Sequence, residues 1–256
     1  MNLNKRNGRL AAVLSGVLLM SLGGIARATL VEGFETGSFN GAEATSGDAG
    51  IKGTYFNIAP TQGTKQMLMT TINNTSDTNY SNQSGSNANS VTTVAAFLGE
   101  STSAIHDGIA QGSEGSAFTI NFGTLNAGDV ITLNYDFLTA EDPSGAHHND
   151  FAFWELNSGA IHIFADVNTS SLHPTDASNM VFGLETGYQT LTITIVTTGT
   201  YTLGLGVMDA TTADNPSGLL IDNIQVTPVP EPTTIGFTLA GAALLVALRS
   251  RIRKNS

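Results

Sequence analysis

The 256-residue chain contains no cysteine. That excludes a disulfide framework, a thiolate metal site and a cysteine nucleophile, so a domain exported to an oxidising compartment must rest on its core, with a bound metal as the available staple. Positive charge is nearly as scarce. Of the ten Lys and Arg only Lys52 and Lys65 lie between Thr29 and Pro228, against twenty of the twenty-one acids, a formal charge of −18 for that stretch. Such a surface repels nucleic acid and anionic lipid, and suits divalent cations and neutral or cation-bridged polymers. There is no glycine-rich phosphate loop and no G-x-S-x-G elbow, so phosphoryl and acyl transfer have no support. Long helical periodicity is missing as well.

Long apolar runs occur only at the two ends. Lys5, Arg6 and Arg9 precede an apolar stretch from Leu10 to Gly24 and the small-residue site Ala26-Arg27-Ala28. This is the order of a secretory signal over 1–28, cleaved after Ala28 so that the mature chain begins near Thr29. Thr233 to Leu248 carries no charge and, as a helix, reaches about 24 Å. That is somewhat short of a hydrocarbon core of about 30 Å but spans one with local thinning. Arg249, Arg251, Arg253 and Lys254 follow it, which predicts a single C-terminal anchor with its basic tail in the cytoplasm.

Between the ends, short alternating runs are the main signal: 117–122, 130–137, 151–156, 161–164, 191–196, 201–207 and 219–226. Apolar and polar residues alternate in most of them, as in strands with one buried and one wet face. Asn126-Ala127-Gly128-Asp129, Asp142-Pro143-Ser144-Gly145 and Asn215-Pro216-Ser217-Gly218 are turn signals between them. The pattern predicts an all-β fold over 29–228, a β-sandwich of jelly-roll-like type, with Val91 to Leu98 as a short helix and Asn73 to Ser90 as a long loop.

Val229-Pro230-Glu231-Pro232, followed by the apolar span and the Arg-rich terminus, resembles the PEP-CTERM sorting signal of Gram-negative bacteria that secrete exopolysaccharide. The resemblance implies that an exosortase acts at Pro230, Glu231 and Pro232, and that residues 233–248 anchor the chain only transiently in the inner membrane. Two prolines keep such a junction extended and open. Gly33-Phe34-Glu35, Glu114-Gly115-Ser116-Ala117, Phe137-Leu138-Thr139-Ala140-Glu141, Asn149-Asp150-Phe151-Ala152-Phe153, Leu203-Gly204-Leu205-Gly206-Val207-Met208-Asp209 and Leu219-Leu220-Ile221-Asp222-Asn223-Ile224 are similar to a recurring domain of PEP-CTERM proteins. Such domains resemble jelly-roll carbohydrate-binding modules. In those modules an acid of the first strand and one of the last commonly flank a structural calcium, which here implies Glu35 and Asp222.

From the residues themselves, Glu141, Asp142, Asn149 and Asp150 surround one turn, and clustered carboxylates and amides with loop carbonyls supply the six to eight oxygens that calcium takes. A solvated turn explains the same residues equally well. Asp209 and Asp214 are close enough in sequence to the last strand to join either calcium site. His147 and His148 are second-rank transition-metal ligands, since adjacent side chains on extended chain point apart. Glu155 with Glu141 or Asp150 is the one conceivable glycosidase pair, against which stands Glu155 as an ordinary wet-face residue. Trp154 is the foremost sugar-stacking platform: if Phe151 and Phe153 are core, alternation turns Trp154 outward.

These residues predict a non-enzymatic protein sorted to the cell surface or exopolysaccharide matrix. Its expected role is structural or adhesive, with calcium and an extracellular polysaccharide as ligands. A glycan-active hydrolase is the alternative.

Overall fold

The alternating segments do become strands, and they are longer and more numerous than the sequence suggests. The computed structural model describes residues 29–229 apart from 78, 109, 144–148, 177 and 211–214. The signal segment with Ala28, the Pro230-Glu231-Pro232 site, the span 233–248, His147, His148 and Asp214 lie outside the described residues. Among those described, no helix is long and apolar enough to cross a membrane.

In chain order the elements are β1 (Thr29–Glu32), β2 (Glu43–Ser46), β3 (Asp48–Lys52), β4 (Gln66–Thr70), β5 (Asn89–Ser90), α1 (Val91–Leu98), β6 (Gly112–Leu125), β7 (Val130–Thr139), β8 (Phe151–Leu156), β9 (His162–Asp166), β10 (His173–Pro174), β11 (Leu184–Glu185), β12 (Gln189–Thr194), β13 (Gly199–Ala210) and β14 (Ser217–Thr227). They form two antiparallel sheets. The first runs β10-β11-β7-β14-β4-β3, with β1 also on β14 and β12 also on β7; the second runs β2-β6-β13-β8-β9, with β5 on β6. Face to face they make a sandwich whose interior is filled by Met67, Met69, Ile131, Leu133, Leu219 and Ile221 from one side and Phe118, Ile120, Leu203, Leu205 and Val207 from the other.

The outer faces are covered too, and this is where simple alternation misleads. On the second sheet, α1 sets Val94, Ala95 and Leu98 over Ala117, Phe151, Phe153 and Met208. On the first, Tyr55, Leu68, Leu138, Phe182 and Leu220 form a third cluster. Strands under such cover lose their wet face, so all five residues of β4 are buried. Its Gln-Met-Leu-Met-Thr run lacks the period of a half-exposed strand.

The helix itself is specified locally. Ser90 caps its first turn by accepting from Thr93 N, at 3.4 Å. Gly99 ends it at φ 77°, in the left-handed region. The Gly99 and Glu100 N–H groups donate back to Ala96 O and Ala95 O, at 3.3 and 2.8 Å, so the last carbonyls are satisfied. Below the helix, Gly204 and Gly206 of β13 pair with Glu155 and Phe153 of β8. A Cβ on Gly206 would lie 2.4 Å from the Phe153 ring and one on Gly204 would lie 2.3 Å from Glu155 Oε1. The Leu-Gly-Leu-Gly-Val run thus puts leucines inward and uses its glycines outward, as space for the side chains that α1 covers.

Candidate functional site

Glu35 and Asp222 hold one loop from its two ends. The exposed Glu35 carboxylate accepts from Thr64 N at 2.8 Å, Lys65 N at 2.9 Å and Thr64 Oγ1 at 2.9 Å. The Thr64 N–H, with that of Lys65, holds its pKa below the ordinary value. Asp222 accepts from Gln62 N at 2.7 Å, Thr61 Oγ1 at 2.8 Å and Asn223 N at 2.7 Å, while burial pushes its pKa up. N–H and O–H donors of Thr61 to Lys65 therefore take up the oxygens of both acids. That donor set does not fit the calcium expected between Glu35 and Asp222, because a cation would have to displace the hydrogens already pointing at them.

The residues gathered around the 141–150 turn take different hydrogen-bond partners. Asn149 donates to Asp107 and Asp166, and its Oδ1 accepts from Asn168 Nδ2 at 2.7 Å. Asp142 and Glu141 line one shallow depression with Pro143, His173 and Pro174. Glu141 is buried, its N–H donating to Thr139 Oγ1 at 3.0 Å. Among the described residues no three of His, Cys, Asp and Glu form a group able to hold a metal ion.

Asp150 instead meets Asp209 at one end of the sandwich, and both are fully buried. Asp150 accepts from Ala210 N at 3.0 Å and from the Ser217 hydroxyl at 2.7 Å. The Ser217 hydroxyl also lies 2.9 Å from Thr139 Oγ1, and Ser217 N donates to Thr71 Oγ1 at 2.9 Å. Neither oxygen of Asp209 has a hydrogen-bond partner. Burial first, then the Asp150 carboxyl, then Asp77, push the Asp209 pKa well above the ordinary value, and the Thr71 hydroxyl acts in the opposite sense. Asp77 was not singled out from the sequence. It caps the turn that follows β4, accepting from Asn73 N at 2.7 Å. Nearby, Asp48 accepts from Gln83 N and Ser84 N at 2.7 and 2.6 Å and from Thr70 Oγ1, which ties the 73–90 loop to the strand ends.

On the first sheet's outer face, Asp136 is fully buried with Oδ1 accepting from Thr186 Oγ1 at 3.1 Å. Burial and the neighbouring Glu185 push its pKa up to about 8.

Glu155 corrects the wet-face expectation. It is 2% exposed beneath α1, accepting from Gly159 N at 3.2 Å, and burial raises its pKa. Asp150 lies five residue steps before it along extended chain, about 16 Å, beyond the separation of about 9.5 Å at which two carboxyls work across a glycosidic bond. Trp154 also differs from expectation. Phe151 and Phe153 are core, yet on the outer face under α1, so Trp154 points to the inter-sheet side and packs against that core. One face of its indole is stacked on His162, with centroids 4.3 Å apart and planes 17° from parallel.

A groove does exist, beside α1. One depression of about 860 Å³ lies between the helix, β2 and the loop before β5, lined among others by Ser46, Ser86, Asn87, Asn89, Thr93 and Phe97, with no charged residue. A second, of about 430 Å³, shares Ala96 and Phe97 and continues over Thr119, Glu155, Asn157 and Thr202. Phe97 stands between the two. The sequence held a signal for it: Val94, Ala95 and Leu98 make the buried stripe of α1, and Phe97 falls on its flank, where a solvated helix has little use for a large apolar ring.

No protein-family model and no curated protein matches the chain. Among solved structures it is similar to TmCBM61 in complex with beta-1,4-galactotriose, at 12% identity over 77% of this chain and 94% of that one, with a TM-score of 0.37. It is similar also to TmCBM27, a carbohydrate-binding module described for specific mannan recognition, at 16% identity over 80% and 99%, with a TM-score of 0.39. A third is the K1 cleaved adhesin domain of Lys-gingipain from Porphyromonas gingivalis W83, at 10% identity over 79% and 99%, with a TM-score of 0.39. At such identities and scores nothing of their ligands passes to this chain.

Proposed function

We propose that the protein is a non-catalytic, jelly-roll-like module that is sorted through its Pro230-Glu231-Pro232 tail by an exosortase to the cell surface or exopolysaccharide matrix, and binds a neutral polysaccharide there. The groove beside α1 carries this reading. Sugar hydroxyls both donate and accept hydrogen bonds, and the Ser, Thr and Asn side chains of the larger depression answer them without introducing charge. Phe97 offers an aromatic face for the apolar face of a pyranose. Two depressions joined at that ring suit an extended chain of sugars better than a single small molecule. The acidic surface disfavours a polyanion.

The test is retention of the secreted protein in native gels cast with a panel of neutral polysaccharides and one anionic polymer. Retardation by a neutral polymer that is lost in Phe97→Ala, with the variant still folded at the temperature of the gel, is the expected result. Retardation by the anionic polymer alone, or by none, overturns the reading.

A hydrolase remains as a second reading because Glu155, with its raised pKa, lies in the floor of the smaller depression. It requires sugar release that disappears in Glu155→Gln.

A further inference from the structure

We propose that the end of the sandwich where β4, β8, β13 and β14 meet is a calcium site, built on Asp209 and Asp150 with the hydroxyl oxygens of Thr71 and Ser217. The site stands apart from the sugar groove, and its test uses no sugar.

Asp209 is the observation that requires a ligand. Val207 on one side of it belongs to the inter-sheet core and Met208 and Ala210 belong to the cluster under α1, so Asp209 is turned between the sheets. It is 0% exposed, and both its oxygens lack a hydrogen-bond partner. A buried carboxylate without donors is costly, and a second one beside it makes the cost larger. Among the described residues no lysine offsets it. Of the two lysines in this part of the chain, Lys52 donates to Gln83 O and Lys65 lies beside Glu35. A bound cation supplies the missing charge.

The donor chemistry selects the cation. The side chains named at the site offer only oxygen, two carboxylates and two hydroxyls, and while Asp150 already accepts from Ala210 N and the Ser217 hydroxyl, both oxygens of Asp209 are uncommitted. Zinc and copper favour nitrogen and sulfur, and magnesium keeps most of its water and demands strict octahedral geometry. Calcium accepts an irregular shell of carboxylate, neutral and water oxygens. Two carboxylates with neutral oxygens make a site of the weak, extracellular class, with Kd of about 10⁻⁴ to 10⁻³ M. Such an ion would tie strand ends from both sheets together and serve as the staple that a cysteine-free exported domain lacks.

The secreted protein is stripped with EGTA, dialysed, and titrated with calcium chloride by calorimetry, with melting curves recorded in parallel in calcium and in EGTA. The expected result is one calcium per chain at this site and a melting temperature about 3–6 °C higher at calcium ten times Kd, with a smaller shift in magnesium. Asp209→Asn should remove both the uptake and the calcium shift, yet melt in EGTA no lower than the parent, since it deletes a buried charge. Asp222→Asn should keep the uptake. Equal melting of the parent in calcium and EGTA overturns the proposal, as does uptake that survives in Asp209→Asn or is lost only in Asp222→Asn. A gain in stability of Asp209→Asn without calcium uptake by the parent assigns the pair to a shared proton instead, and overturns it as well.

Discussion

Phe97 and Asp136 show how far a single side chain's surroundings set its role. Phe97 is half-buried on the flank of α1 and packs against the cluster beneath the helix, so truncating it removes an aromatic face and part of that packing. Phe97→Ala is expected to weaken polysaccharide retention by roughly tenfold, about the worth of one aromatic stack, and to lower the melting temperature by several degrees while the protein stays folded at the assay temperature. Asp136 is the opposite case. Its folded pKa of about 8 exceeds the ordinary value of an aspartate, so from about pH 4 to about pH 8 the native state holds a proton that the unfolded chain has released. Stability contributed by that protonated carboxyl is complete at low pH and falls as the pH rises through the window. Asp136→Asn imitates the neutral form and should flatten that slope, melting higher than the parent at pH 8.5 and close to it at pH 5. A loss at both pH values would show that the carboxyl is not held neutral.

The second sheet and its helix depend on one another as elements. β13 gives up side chains at Gly204 and Gly206 so that Glu155 and Phe153 can sit between the sheet and α1. Gly206→Ala drives a methyl group into the Phe153 ring and is expected to cost about 1–3 kcal/mol in denaturant unfolding, as overpacking does. The leucines of the same run were legible as inward-facing from period two alone. The purpose of its glycines was not, because it lies on a neighbouring strand and on a helix more than a hundred residues earlier in the chain. Trp154 was misplaced for the same reason: alternation separates the two faces of a strand and says nothing about which of them is covered.

The whole molecule concentrates acid without counter-charge. Besides Asp136, Glu43 is raised to about 7, by burial first and by its neighbour Glu32. Both groups hold protons in the folded state that the unfolded chain loses at lower pH, so the sign is the same for each. In chelator the protein should melt at a higher temperature at pH 5 than at pH 8, as scanning calorimetry at the two values would show. An unchanged or rising melting temperature between them would mean that these carboxyls are ionised in the fold.

The all-β class, the Asn126–Asp129 turn, the helix from Val91 to Leu98, the excess of negative charge and the lack of any disulfide were determined by the sequence alone. Each is local or compositional: a period of two, a Ser90 cap with Gly99 at the far end, or a count of residue types. Only the tertiary structure decided which acids meet. Asp150 and Asp209 are brought together by pairing of β8 with β13, while Asp150 and its sequence neighbour Asn149 take different partners. Likewise Glu35 and Asp222 share a loop through its N–H groups, which no spacing reveals. Contacts between distant strands follow from register and sheet order, and those are settled by packing the whole core at once.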